Sequence, residues 1–216
     1  MLAIFDVEGV LYDAEYLPIL AEKINKEKEI WDITKKGIQG SINWEDGLTK
    51  RVELLKGIDF ETCKQVADSL PIMTGAREAC KTLKDAGWKI MAVSGGFTIM
   101  TDRLKDALNL DHVYTNELIF KDGKLDSVTI NVDSDKAKSA RVKIEEWNIP
   151  KDEIVVIVDG ANDIKLFDIC NLGIAYRAQD IVKDLATTTL EEKDLTKIIP
   201  IINQHYSMDL PIPVSS

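Results

Sequence analysis

Three short stretches of this 216-residue chain combine residue types that can do chemistry. Asp6-Val7-Glu8-Gly9 follows the apolar run Leu2–Phe5 and sets two acids two residues apart. Ser94-Gly95-Gly96 follows the β-rich residues 88–93, and Asp159-Gly160-Ala161-Asn162-Asp163 follows Ile154–Val158. Asp6 and Glu8 point to the same side of an extended chain. Two such carboxylates can bind a divalent cation or divide nucleophile and acid/base roles, although plain turn chemistry uses the same residue types. Asp6 and Asp159 are hard oxygen donors of the kind Mg²⁺ accepts. Ser94 and the glycines after it offer a hydroxyl and backbone N–H groups to a phosphoryl oxygen at the start of a helix. A lysine near the start of a helix at residues 135–147 adds a point charge.

The elements that must position these groups follow from periodicity. Unbroken apolar runs read as buried strands, so all three polar stretches stand at strand C-terminal ends. Strand and helix patterns alternate from residue 74 onward. A helix at 76–86 closes on Gly87, and another carries Ile99, Leu104 and Leu108. Residues 113–120 and 125–132 flank Asp122-Gly123, which predicts a hairpin. A short strand at 172–175 and an amphipathic helix at 195–202 complete the pattern. The alternation predicts an α/β fold with a doubly wound, mostly parallel sheet, and such a sheet gathers its ligands at the carboxyl ends of the strands. Residues 14–73 interrupt it with helical signals only. One helix starts near Glu15 or Tyr16 and carries Leu17, Leu20 and Ile24; a second runs over 44–56; a third follows Asp59 as N-cap and stops before Pro71. The expected organisation is a core of 1–13 and 74–205, a helical insertion at 14–73, and a disordered tail at 206–216.

Composition excludes several functions. The 27 Lys/Arg residues against 37 Asp/Glu give a net charge of −10, with no basic run to hold a nucleic acid. No stretch approaches the length of a membrane span, and the N-terminal apolar run has no basic leader, so a cytoplasmic protein is expected. Cys63, Cys80 and Cys170 are too few and too scattered for a disulfide framework or a zinc site. His112 and His205, the two histidines, stand near no suitable nucleophile. No glycine-rich dinucleotide fingerprint or Walker-type loop is present.

In Asp6-Val7-Glu8-Gly9-Val10, Ser94-Gly95-Gly96, Ala137-Lys138-Ser139 and Val158-Asp159-Gly160-Ala161-Asn162-Asp163, in this order, the chain resembles the haloacid dehalogenase (HAD) phosphatases. It is most similar to the branch that hydrolyses phosphoserine. The resemblance implies a Rossmann-like core with a helical cap domain, Mg²⁺ as cofactor and a small phosphorylated substrate. It implies Asp6 as nucleophile and Glu8 as general acid/base, with Ser94, Gly95 and Lys138 on the phosphate and Lys136 as the alternative lysine. Metal ligation falls to Asp6, the Glu8 carbonyl and Asp159, with Asp163 as ligand or in support. In the insertion, Glu15 and Arg51 correspond to the pair that grips a substrate's ammonium and carboxylate, a sensible division for an anion and a guanidinium fork. Asn162 joins them as a substrate contact, and Ile38 and Trp44 offer apolar ones.

Two positions depart from the family pattern. Val158 replaces a glycine, and Glu8 stands where an aspartate is usual, which extends the carboxylate by about 1.5 Å. A displacement on the order of 1 Å at a reacting group can cost roughly a hundredfold in rate. Activity on another small phosphorylated metabolite, or a decayed site that only binds, are the alternatives these departures leave open.

Overall fold

The structure is a computed structural model and describes residues 1–215. One seven-stranded sheet is built from β1 (Leu2–Phe5), β2 (Lys89–Phe97), β3 (His112–Lys121), β4 (Lys124–Thr129), β5 (Ile154–Val158), β6 (Leu172–Tyr176) and β7 (Thr188–Leu190). The order is β4-β3-β2-β1-β5-β6-β7, and only the β3–β4 hairpin is antiparallel. The strands nearest the centre are the most apolar. Every residue of β1 and β5 is buried, as a strand covered on both faces requires. Alternate side chains divide between two layers: Ala3 and Phe5 pack into one, Leu2 and Ile4 into the other.

The helices are α1 (Tyr16–Glu22), α2 (Glu27–Ile38), α3 (Trp44–Leu55), α4 (Phe60–Ser69), α5 (Ala76–Asp85), α6 (Thr98–Leu108), α7 (Lys136–Trp147), α8 (Asp180–Lys183) and α9 (Ile198–Tyr206). The residue before α3 and the one before α4 explain where those helices begin. Asn43 accepts from the Asp46 N–H, and Asp59 accepts from the Thr62 N–H, both at 2.8 Å. Helices α1–α4 leave the sheet and return to it along paired backbone. The Asp13 N–H donates to Pro71 at 2.9 Å, and the Met73 N–H donates to Leu11 at 2.8 Å. The apolar residues of these helices, among them Leu20, Ile30, Leu48 and Val52, are continuous with one layer of the sheet's core.

Several elements differ from the sequence-based expectation. The first helical pattern ends after α1, because the chain turns through Asn25 at φ 57° and restarts as the unexpected α2. β2 does not stop at Val93 but continues through Ser94-Gly95-Gly96 to Phe97. The segment after Asp159 is a 3-10 helix at Ala161–Ile169, and the three-residue edge strand β7 was not expected. The tail expected to be disordered at 206–216 is partly tied down. Tyr206 still belongs to α9, and Leu210 is buried with both backbone groups bonded to the Asn203 side chain at 2.9 Å. Ser216, the last residue of that tail, lies outside the described residues.

Candidate functional site

Register brings the three polar stretches together. Phe5 sits beside Ala92 on one side and Ile157 on the other, so Asp6, Ser94 and Asp159 emerge at one edge of three adjacent strands. The Asp6 N–H still bonds the Ile157 carbonyl at 3.1 Å, which fixes the side chain's origin. Gly9 then turns the chain at φ 82°, a conformation that favours glycine. A Cβ there would lie 2.1 Å from Asp159 Oδ2, so the position also leaves room for that carboxylate.

Asp6, Asp159 and Asp163 each offer a carboxylate oxygen, and the three lie within 4.8 Å of one another. Lys136, 3% exposed, is held between two of them: its Nζ donates to Asp6 Oδ1 at 2.8 Å and contacts Asp163 Oδ1 at 2.5 Å. Burial alone would lower the ammonium's pKa, but Asp163 and Asp6 outweigh it and raise it well above the ordinary lysine range. Burial and the neighbouring Asp6 charge push Asp159 well up and Asp163 up to about 7. One lysine does not neutralise three acids. A hard divalent cation ligated by oxygen would, and the donor set fits Mg²⁺.

The lysine identity corrects the expectation from sequence. Lys138 has a side chain 76% exposed and only a 3.8 Å contact with Asp133. Two residues along a helix rotate a side chain by about 200°, so with Lys136 facing the acids Lys138 faces solvent. Ser94 is buried at 1% exposure, and its Oγ accepts the Gly96 N–H at 2.9 Å, which leaves the hydroxyl hydrogen to donate elsewhere. Glu8 is turned towards α1: its Oε1 accepts the Tyr16 N–H at 2.6 Å, a bond that caps a helix whose own N-cap residue, Glu15, makes no side-chain cap. A Cβ on Gly96 would stand 3.1 Å from Glu8 Oε2 and 3.0 Å from Ser94 Oγ, so these two groups approach the same point. Burial raises the Glu8 pKa, and the Tyr16 N–H counteracts it.

Above the strand ends lies a cleft. Asp6, Glu8, Gly95, Lys136, Asp159 and Asn162 line it. Glu15, Leu17, Ile38, Trp44, Leu48 and Arg51 line it as well. Burial and the carboxylates of Glu8, Asp159 and Asp6 push Glu15 well up. Arg51 counteracts the rise in the Glu15 pKa, and Glu8 and Glu15 counteract the lowering that burial imposes on Arg51. Trp44 rests against Gly95, where a Cβ would meet its ring at 2.5 Å.

Sequence reasoning missed two contacts of this site. Thr34 of α2 lines the cleft and accepts from Arg51, and the Glu45 side chain of α3 accepts the Ser134 N–H at 2.7 Å, just before α7. Thr34 carried little signal, since the buried stripe in which it stands, Ile30, Thr34 and Gly37, has a single strongly apolar residue. The Glu45 contact spans 89 residues and had none.

Comparisons with known proteins give the family and the fold. Residues 1–167 match the family model described as haloacid dehalogenase-like hydrolase. The phosphoserine phosphatase of Methanocaldococcus jannaschii is 36% identical over 206 residues, covering 93% of this chain and 97% of the relative. That of Archaeoglobus fulgidus is 32% identical over 93% of this chain, which spans only 59% of that relative's length. Among solved structures, a phospho-aspartyl intermediate analogue of phosphoserine phosphatase superposes with a TM-score of 0.90 at 34% identity, over 93% of this chain and 97% of that one. A substrate-bound phosphoserine phosphatase complex gives 0.90 at 33% identity with the same coverage. No helix among the described residues is long and apolar enough to cross a membrane.

Proposed function

Because the chain belongs to the haloacid dehalogenase-like hydrolases, we propose that it is a Mg²⁺-dependent phosphatase whose preferred substrate is O-phosphoserine. One observation carries the substrate: a single cleft is lined by the acid–lysine cluster and also by Glu15 and Arg51. A phosphate ester of an amino acid presents the matching groups, a phosphoryl at one end and an ammonium with a carboxylate at the other. The named relatives are phosphoserine phosphatases, which supports the same reading. In this proposal residues 14–73 act as a cap over the core of 1–13 and 74–205.

Asp6 is the nucleophile. A carboxylate oxygen attacks phosphorus, the bond from phosphorus to the serine oxygen breaks, and an aspartyl-phosphate forms on Asp6. Lys136, 2.8 Å from Asp6, holds that carboxylate in place before attack and disperses charge on the phosphoryl oxygens during it. The Ser94 hydroxyl and the Gly95 N–H donate to those same oxygens. Glu8 delivers the proton to the leaving serine oxygen, and its raised pKa favours the protonated form this step needs. Its carboxylate then accepts a proton from the water that attacks phosphorus and frees Asp6. Mg²⁺, held by Asp6, Asp159 and the Glu8 carbonyl with Asp163 as ligand or support, would supply charge neutralisation at the phosphoryl group. Glu15 holds the ammonium, Arg51 the carboxylate, and Asn162 contacts the substrate from the 3-10 helix.

A panel of phosphomonoesters assayed with Mg²⁺ tests this. Phosphoserine should give the highest kcat/KM, and Asp6→Asn should abolish turnover. Equal rates on sugar phosphates, or full activity after Asp6→Asn, would refute it.

A further inference from the structure

Arg51 is anchored twice before any substrate reaches it. Its Nε donates to the Gly47 carbonyl one turn back on α3 at 3.2 Å, and one terminal nitrogen donates to Thr34 Oγ1 on α2 at 3.1 Å. Bonds to two different nitrogens fix the plane of the guanidinium, and that plane decides whether a carboxylate can be gripped by two parallel N–H bonds.

Thr34 is itself unusual for its position. It is 1% exposed, lines the cleft, and occupies the buried stripe of α2 between Ile30 and Gly37. Helix propensity does not call for a β-branched residue there. An apolar core does not call for a hydroxyl, which costs free energy when buried unless it is bonded. The bond to Arg51 accounts for both. It also spans two helices, so the orientation of the guanidinium depends on α2 and α3 holding their relative position.

We propose that Thr34 is a positioning residue that sets the substrate selectivity of the cleft by orienting Arg51 for a carboxylate. This rests on the reading of Arg51 as the carboxylate clamp. Thr34 touches no reacting atom in this account, so its effect belongs in substrate affinity and selectivity, and only for substrates that carry a carboxylate next to the phosphorylated side chain.

The test compares phosphoserine with phosphoethanolamine, which keeps the ammonium and phosphate and lacks the carboxylate. Thr34→Val keeps the shape and removes the acceptor. It should raise KM for phosphoserine about 3- to 10-fold, the range of one lost hydrogen bond, with kcat within about twofold. Phosphoethanolamine kinetics should stay unchanged, and Thr34→Ser should restore the wild-type KM. Thr34→Ala, read in the same way, serves if the valine variant does not fold. Equal loss on both substrates, or no loss on either, overturns the inference. Arg51→Ala keeps the two ideas apart. If it discriminates between the substrates while Thr34→Val does not, only the role of Thr34 fails; if it affects both equally, the clamp reading fails as well.

Discussion

Two sets of side chains line the cleft and differ in their electrostatics. At the strand ends, Asp6, Asp159 and Asp163 crowd within 4.8 Å around a single buried lysine, an arrangement that repels itself until more positive charge arrives. The inserted helices add Glu15 and Arg51, an acid whose pKa is pushed well up by burial and the nearby carboxylates and a guanidinium that acts on it and on Glu8. Rigid elements hold both arrangements. Asp6 and Asp159 directly follow β1 and β5 at the centre of the sheet, Asp163 lies in the 3-10 helix after them, and Arg51 is pinned by its own helix and by Thr34. In the proposed reading the contrast is a division of labour: the core holds the acids for a cation and a phosphoryl group, and the helical layer holds an acid and a guanidinium for an amino acid. Affinity for phosphate alone then depends on the first set, and discrimination among phosphate esters on the second.

Lys136 offers the largest break in this contrast. Lys136→Met should lower kcat/KM by roughly 10²- to 10³-fold on every phosphate ester, as expected for loss of a preorganised charge at the reacting group. Lys138→Met, on the solvent face of the same helix, should leave steady-state kinetics within about twofold of wild type. Arg51→Ala breaks the other set. It should lower kcat/KM for phosphoserine by roughly 10- to 100-fold, the ~1.5–3 kcal/mol of a hydrogen bond to a charged group, and leave phosphoethanolamine nearly untouched.

A pH series sharpens the account of the acidic set. Burial and Asp6 hold the folded Asp163 pKa at about 7 against an ordinary value of 3.8, and Asp159 is raised as well. A carboxyl with a raised folded pKa binds more protons folded than unfolded between those two values, so it favours folding below them and loses that contribution as pH rises. The Tm of metal-free protein should therefore fall as pH climbs from about 3.8 to about 7, by calorimetry or circular dichroism. Added Mg²⁺ should reduce the fall, and Asp159→Asn should flatten it. The smallest effect belongs to Glu45, which ties α3 to the backbone just before Lys136. Glu45→Ala should raise KM about 2- to 5-fold, as for one exposed hydrogen bond, and stopped-flow fluorescence of the nearby Trp44 should report faster opening of the cleft.

The sequence made the sheet centre legible because Leu2–Phe5 and Ile154–Val158 are unbroken apolar runs that admit one reading, and the acids follow them directly. The start of α4 was legible from the Asp59 side chain that caps it, and the hairpin from Asp122-Gly123, both at positive φ in the structure. Helix α2 was hidden: charged residues dominate it, its buried stripe includes a threonine and a glycine, and Asn25 interrupts the pattern before it. The lysine was misplaced for a related reason. Lys136 and Lys138 are equivalent in composition and differ only in their angle around α7, which depends on where the helix begins. Glu8 shows a further limit. Its extra methylene is plain in the sequence, but its bond to the Tyr16 N–H at 2.6 Å, which ties it to the start of α1, exists only once that helix has been placed.

The division of the cleft is tested most directly by a crystal structure of the Asp6→Asn protein with phosphoserine and Mg²⁺. The account predicts the phosphoryl group against Lys136 and Ser94, the carboxylate within hydrogen-bond distance of Arg51, and the ammonium beside Glu15. Phosphoserine bound with its carboxylate among the strand-end acids, or away from Arg51 altogether, would contradict it.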